Sequence, residues 1–582
     1  MVSFGSPVVD KKLICNSNMY TNRLITGISK FIDDFEDATK EMRNKLGRRL
    51  VKDTNPEKDW AKNKGVSYPR TEYSASKQVD SYKDEKFFGL FSETKYIYEN
   101  YKAKYLGGGV SGDVYSIYEG YSDSPTYVIK EAKKKKHSDP IYGAGGIVEE
   151  FENLKTYGGK NLQTGIALMQ TRDDNYFLVS FFSRGEAAGL KHLSKTEHKF
   201  DKVDTEEKKI FVRCAYPSSA PIYKKGNSVL HDTMDIVKSL DDRNIFNSDL
   251  NIGNILYANV ETVDYLRTTY DKKPTLIDLQ WQMPMYKADN FFTFAPGEKK
   301  TNFASFEAGF VASYLHGVNE YHALHENAQV GKENAREFLG KYLQERAEYC
   351  DTSNRFERLR QAVYQNPTKD VLDAEILRLS ILKNHNHQFL YNDGLNETPR
   401  DMLKGLRYMA RANFSAKMLS EFQPQGPVSD VQSEYFEEMR KLGSFWHGKT
   451  HKWYREGLES MQAKIIRYPV KSYPKGDEQV YWPKAFGQGE SDAVPKNSEV
   501  VDKTMLSDIL SNETKAKWDK AMNQKREVEL DGEVYEKPPL KNQIRDLEEA
   551  FVKLKTAIDT NNTQLRTEAE NSINQQIRKV LV

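Results

Sequence analysis

Cysteine is nearly absent from the 582-residue sequence: Cys15, Cys214 and Cys350 are odd in number and far apart, which argues against a disulfide framework and fits a reducing compartment. Long apolar runs are missing as well. No stretch approaches the ~20 apolar residues that a membrane-spanning helix needs, and the first residues lack the basic-then-apolar pattern of a cleaved secretory signal. Neither sign of charge dominates. With 86 Lys and Arg against 84 Asp and Glu the formal charge is +2, so no global field argues for nucleic acid, and partners must be argued from local features. His385-Asn-His387 and His447-x-x-x-His451 have metal-compatible spacing but no Cys or Glu partner in a zinc signature, and read as ordinary histidines. What is present is a chain 38% hydrophobic and 12% aromatic, which can supply a real core and has room for three or four domains.

The stretch Ile245-Phe-Asn-Ser-Asp-Leu-Asn-Ile-Gly-Asn-Ile-Leu256 places a carboxylate, Asp249, five residues before a carboxamide, Asn254, with apolar pairs on either side. That spacing suits phosphoryl transfer, in which a carboxylate orients the attacking hydroxyl and an amide oxygen helps to hold a metal. Alone, the same spacing reads as a loop that caps its own backbone. Three further elements, in order along the chain, shift the reading. Gly107-Gly-Gly-Val-Ser-Gly-Asp-Val114 fits G-x-G-x-x-G-x-V between strand formers, so it reads as a hairpin tip rather than the strand-to-helix turn of a dinucleotide fold. Tyr127-Val-Ile-Lys130 is an apolar strand ending in a lysine. Pro274-Thr-Leu-Ile-Asp-Leu279 is a buried-looking strand that delivers Asp278.

With these four motifs the chain resembles the protein-kinase-like superfamily over roughly residues 100–320, as an atypical member similar to bacterial effector kinases. The resemblance implies an α+β, two-lobed protein-kinase-like fold with a β-rich small lobe, a helical large lobe and helical N- and C-terminal extensions. It implies that Gly107, Gly109, Gly112 and Val114 cover ATP, that Lys130 pairs the phosphates and a helix glutamate, that Asp249 is the catalytic base, and that Asn254 and Asp278 hold Mg²⁺. The glutamate should come from Ile147–Leu154; Glu150 is favoured because Leu154, one turn on, anchors the same face, with Glu149 and Glu152 as alternatives. Departures are instructive. Asn247-Ser248 stands where typical protein kinases carry His-Arg, so a phosphorylated activation loop has no local arginine partner. Activity is then constitutive or partner-driven. Asn251 replaces a common lysine, Gln280 replaces the flexible glycine after the metal aspartate, and Ala295-Pro-Gly-Glu298 resembles a stretched Ala-Pro-Glu.

The expected organisation is a tail and amphipathic helical extension over 1–95, a small lobe over 96–183, a large lobe over 184–425 and a C-terminal helical extension over 426–582. Residues 1–21 read as an irregular tail and 22–51 as an amphipathic helix. The basic run 133–136 reads as a solvated loop, 175–182 as a strand leading to a hinge at Arg184-Gly185, and 229–240 and 302–321 as buried helices. Residues 468–496 read as a linker or a wrapping segment. Leu540, Ile544, Leu547, Phe551, Leu554 and Ile558 form a short heptad seam, consistent with a helix packed in a terminal helical domain or with a coiled-coil dimer. The expected activity is an ATP- and Mg²⁺-dependent Ser/Thr protein kinase acting on a protein substrate, with an activating partner at the C-terminal helices, no nucleic acid and no membrane span. Its setting is the host cell, after secretion as a virulence effector, or the bacterial cytoplasm. The alternatives are a small-molecule kinase of the aminoglycoside and choline kinase branch, suggested by the Ile-Asp-Leu-Gln-Trp pairing, and a pseudokinase scaffold.

Overall fold

Runs of β-branched and aromatic residues with alternating burial build the first sheet. The computed structural model describes residues 14–15, 101–108, 112–119, 125, 127–132, 144–157, 161–163, 165–170, 176–183, 186–187, 228–257, 274–290, 294–325, 327–392, 399–467, 506–523, 526–530, 533–537, eight positions between 546 and 557, and 560–581. Over these residues the protein is mixed α+β and mostly helical, with small antiparallel sheets, and it divides into two units. Among the described residues no helix is long and apolar enough to cross a membrane.

The first unit is built on six antiparallel strands, β1 (Ile14–Cys15), β2 (Tyr101–Gly108), β3 (Gly112–Glu119), β4 (Tyr127–Ala132), β5 (Gly165–Gln170) and β6 (Tyr176–Phe181), in the order β1-β5-β6-β4-β3-β2. Ile117, Ile129, Phe177 and Val179 are buried on one face of the sheet, as pleated strands with a packed face require. Helix α1 (Ala144–Tyr157) buries Ile147, Phe151 and Leu154, which recur at the three- and four-residue spacing of one helical face. Strands β7 (Glu186–Ala187), β8 (Ile255–Tyr257) and β9 (Thr275–Leu276) form a small sheet in the order β9-β8-β7, and Leu276 also bridges to Leu162.

The second unit is helical. Helix α2 (Ser228–Asp242) precedes the short strand Ile245–Asn247, and α3 (Asn302–Phe306) runs through a π-helical turn, Glu307–Val311, into α4 (Ala312–His325). Then come α5 (Ala328–Ala347), α6 (Arg355–Tyr364), α7 (Lys369–Asn392), α8 (Pro399–Ser420), α9 (Asp430–Arg467), α10 (Asn512–Asn523), the hairpin β10 (Arg526–Leu530) and β11 (Glu533–Lys537), and α11 (Thr563–Leu581). Asparagines start two of these helices: the Asn327 side chain accepts from the Val330 amide and Asn354 from those of Phe356 and Glu357, satisfying donors that the first turn leaves open. The core carries a fully buried ionic network. Arg378 donates to Glu307 at 2.8 Å and to Glu375 at 2.7 Å, and Tyr342 and Tyr435 fill the remaining carboxylate positions, as burial of charge demands.

Several expectations are corrected. Ile14–Cys15, read within an irregular tail, form an edge strand paired with Leu168 and Ala167. The strand expected over 274–279 is paired only at Thr275–Leu276, because Asp278 turns the chain with φ 58° and ψ 66°. The segment 254–283 groups with the sheet-rich unit, and 284–582 lie together in the helical unit. The physical reason is pairing: β8 and β9 complete a sheet with β7, and α9 packs along α8. Gly109, the 22–51 helix, the 133–136 run, the hinge at 184–185 and the 468–496 segment lie outside the described residues.

Candidate active site

Strand β4 carries Lys130 between β3 and β6, where it faces Val114 on one side and Leu178 on the other. Gly107 and Gly108 end β2 opposite Val114 and Asp113, so the glycine-rich stretch joins two paired strands, as a hairpin tip should. A side chain at Gly112 would place its Cβ 2.5 Å from the Glu131 carbonyl oxygen, so only glycine allows this approach of β3 to β4.

Lys130 Nζ lies 2.5 Å from Glu150 Oε2 and 3.1 Å from Asp278 Oδ1. Helix α1 selects the glutamate. Glu150 is buried beside Phe151, whereas Glu149 and Glu152 are exposed. Burial opposes the Lys130 charge, but Asp278 and Glu150 outweigh it and hold the ammonium above its ordinary range. Burial pushes Glu150 up to about 7, with Lys130 acting against the rise and Asp278 adding to it. One ammonium thus faces two carboxylates. The Asp278 side chain is 39% exposed and that of Glu150 is 3% exposed, so Asp278 is the carboxylate of the two that can offer an oxygen to a ligand from solvent.

Asn254 sits beside this group through the backbone. Its carbonyl oxygen accepts from the Ile277 amide at 2.8 Å, and Leu256 and Ile255 pair with Thr275 and Leu276. Asn254 immediately precedes β8 and Asp278 follows β9, and their amide and carboxylate oxygens are hard donors, a chemistry that fits Mg²⁺ better than softer metals. One residue that sequence reasoning missed fixes the other side of Asp278. Asn153 on α1 donates from Nδ2 to the carbonyl oxygens of Leu279 at 2.9 Å and Gln280 at 3.1 Å.

Asp249 belongs to the second unit, where it is buried in a loop built by asparagines. Its amide donates to Asn247 Oδ1 at 2.8 Å, and Asn251 Nδ2 donates to Asp249 Oδ1 at 2.8 Å. Asn251 Oδ1 then accepts from the Gly253 amide. Asn302, at the start of α3, accepts from the Asn247 amide at 2.8 Å and donates to the Ile245 carbonyl at 2.7 Å and to Asp241 Oδ1 at 2.6 Å. Gly309 in the π-turn completes the support, since a Cβ there would lie 2.5 Å from the Leu250 carbonyl oxygen. Asn247 and Asn251, which sequence reasoning marked as departures, are therefore the side chains that shape the Asp249 loop. Their signal was the density of Asn and Asp between 247 and 254, a composition that forms side-chain-closed turns.

The sequence Ala295–Glu298 is closed by its own glutamate: Glu298 Oε2 accepts from the Ala295 amide, and Glu298 Oε1 lies 3.3 Å from Arg360. No protein-family model matches the chain, and no curated protein matches it.

Proposed function

We propose that the chain is a Mg²⁺- and ATP-dependent phosphotransferase of protein-kinase-like type, with the sheet-rich unit as its nucleotide lobe and the helical unit as its acceptor lobe. The reaction is transfer of the ATP γ-phosphate to a Ser or Thr hydroxyl of a protein. The observation that carries this reading is Lys130 held jointly by Glu150 and Asp278. A lysine fixed in the centre of a sheet is a preorganised cation for phosphate oxygens, and a merely structural ion pair needs only one carboxylate.

In this reading Gly107, Gly109, Gly112 and Val114 line the nucleotide, Lys130 binds its phosphates and Glu150 keeps the lysine extended. Asn254 and Asp278 would hold Mg²⁺, which neutralises charge on the phosphates when bound. Asp249 accepts the proton of the acceptor hydroxyl as that oxygen bonds to phosphorus and the bond to the ADP oxygen breaks. Asn251 holds the Asp249 carboxylate and Asn247 its backbone amide for that task, in place of a mobile, phosphorylation-dependent loop.

The experiment is incubation of the full-length protein with γ-labelled ATP and Mg²⁺ in the presence of eukaryotic lysate, bacterial lysate and metabolite pools. Label in a protein band that is lost with Asp249→Asn supports the reading. Label only in a small molecule would move the chain to the metabolite-kinase branch, and absence of label together with intact Mg²⁺-ATP binding would leave a binding scaffold.

A further inference from the structure

Helix α5 ends on two glutamates, Glu345 and Glu348, that meet a histidine from α2. His231 Nδ1 lies 3.4 Å from Glu345 Oε2 and 3.6 Å from Glu348 Oε2, and the three donor atoms lie within 4.8 Å of one another. This is an unfavourable place for negative charge. The carbonyl end of a helix is itself negative, and Asp235 adds a third carboxylate 4.0 Å from the other His231 nitrogen. The Glu345 side chain is only 10% exposed. Among the described residues it forms no ion pair with a lysine or arginine; the His231 imidazole is its counterpart. Lys238, the nearby cation, sits instead over the Tyr349 ring, 5.6 Å from its centroid. A buried carboxylate without a permanent cation is costly.

We propose that His231, Glu345 and Glu348 bind one divalent transition-metal ion of the Zn²⁺ class and so staple α2 to the end of α5. Metal–ligand distances of about 2.0–2.2 Å in a tetrahedron place donor atoms about 3.4 Å apart, and the two His–Glu separations are 3.4 and 3.6 Å. Small side-chain adjustments suffice. The imidazole selects against Mg²⁺ and Ca²⁺, which prefer all-oxygen shells, and two carboxylates with one imidazole leave a fourth position for water. Tyr349 supplies the outer contact: its Oη lies 3.2 Å from both ring nitrogens of His231 and donates to Asp235 at 2.7 Å. Helix α2 runs directly into the strand before Asp249, so the ion would rigidify the base of that loop without touching substrate. The inference does not depend on the phosphotransfer reading.

The test uses full-length protein stripped with chelator and carrying Asp278→Ala, so that the proposed Mg²⁺ site does not contribute. Zn²⁺ is titrated by calorimetry and Co²⁺ by visible absorption, without nucleotide. The expected result is one equivalent that His231→Ala loses and that Glu348→Gln weakens by about tenfold or more, together with a Zn²⁺-dependent rise in melting temperature confined to the protein with all three ligands. Glu348 is exposed, so its variant keeps the fold even if His231→Ala does not. Equal stoichiometry and affinity in parent and Glu348→Gln would overturn the site, as would no saturable equivalent in the parent, which would leave only a histidine–carboxylate contact between the helices.

Discussion

Asn153 Nδ2 donates to the Leu279 carbonyl oxygen at 2.9 Å, and through that bond helix α1 governs the conformation of Asp278. The aspartate holds the left-handed backbone geometry that costs most residues free energy and that Asp and Asn tolerate best. Asn153→Ala removes both restraints on 279–280. It should weaken Mg²⁺-ATP binding about tenfold, at a stability cost of about 1–3 kcal/mol for the unsatisfied carbonyls. Calorimetric titration with Mg²⁺-ATP checks this, and unchanged affinity would show that β9 alone positions Asp278.

Replacing Asp249 by Asn should lower transfer about 10²–10⁴-fold while leaving Mg²⁺-ATP affinity nearly unchanged, because in the proposed phosphotransfer the residue orients and deprotonates the acceptor rather than the nucleotide. Single-turnover rates alongside nucleotide titrations separate the two effects. A variant that turned over at the parent rate would remove Asp249 from the role.

Among the three neighbouring glutamates, only Glu150→Ala should lose activity. It is buried against Lys130, and its removal leaves the ammonium to Asp278 alone. Glu149→Ala and Glu152→Ala alter exposed positions and should transfer phosphate at the parent rate. Equal activity in all three variants would dissolve the proposed lysine pair.

Glu150 was legible in the sequence for a simple reason. Its neighbours Ile147, Phe151 and Leu154 set the buried face of α1, and a helix repeats every 3.6 residues, so only one of the three glutamates can lie on that face. Lys130 was legible because a polar residue in an apolar strand stands out. Asn153 and Asn302 were not, since their partners are backbone carbonyls and amides of distant segments, which carry no side-chain signature. The helices over 229–240 and 302–321 followed from apolar periodicity, but the grouping of the later helices with them did not. Nothing in the residues near 426 announces that α9 lies along α8. The left-handed turn at Asp278 was hidden as well, because a strand pattern and a strand-plus-turn pattern differ there by no apolar position.

Acid should unfold the helical unit partly through Glu357. Burial raises this carboxyl, but Arg346 and Arg360 outweigh burial and bring it down to about 2 from an ordinary 4.5. Between those values the unfolded chain binds the proton and the folded protein does not. The contribution is therefore complete above pH 4.5 and is lost as the pH falls towards 2, on the order of 3 kcal/mol in all. Urea midpoints measured down the acid limb should fall less steeply for Glu357→Gln than for the parent. Parallel slopes would place the acid sensitivity on other carboxylates.

The heptad seam gives the last prediction, because its two readings demand different assemblies. Of the six seam positions, Leu547 and Leu554 are described and buried, and they join a cluster with Leu406, Met409, Tyr454, Leu458, Ile573 and Ile577. All of these belong to α8, α9, α11 and the segment before α11 of one chain. At these two positions the seam is covered from within, and removal of Pro538–Val582 would uncover Leu406, Met409 and Leu458. Leu554→Ala should accordingly cost about 2–5 kcal/mol in stability, as deletion of a well-packed leucine does, with no change in the mass of the particle in solution. Denaturant unfolding and light scattering on the same two samples give both quantities. A coiled-coil dimer interface predicts the opposite pair of results: a parent dimer converted to monomer by the substitution, with little loss of stability once the chains are apart.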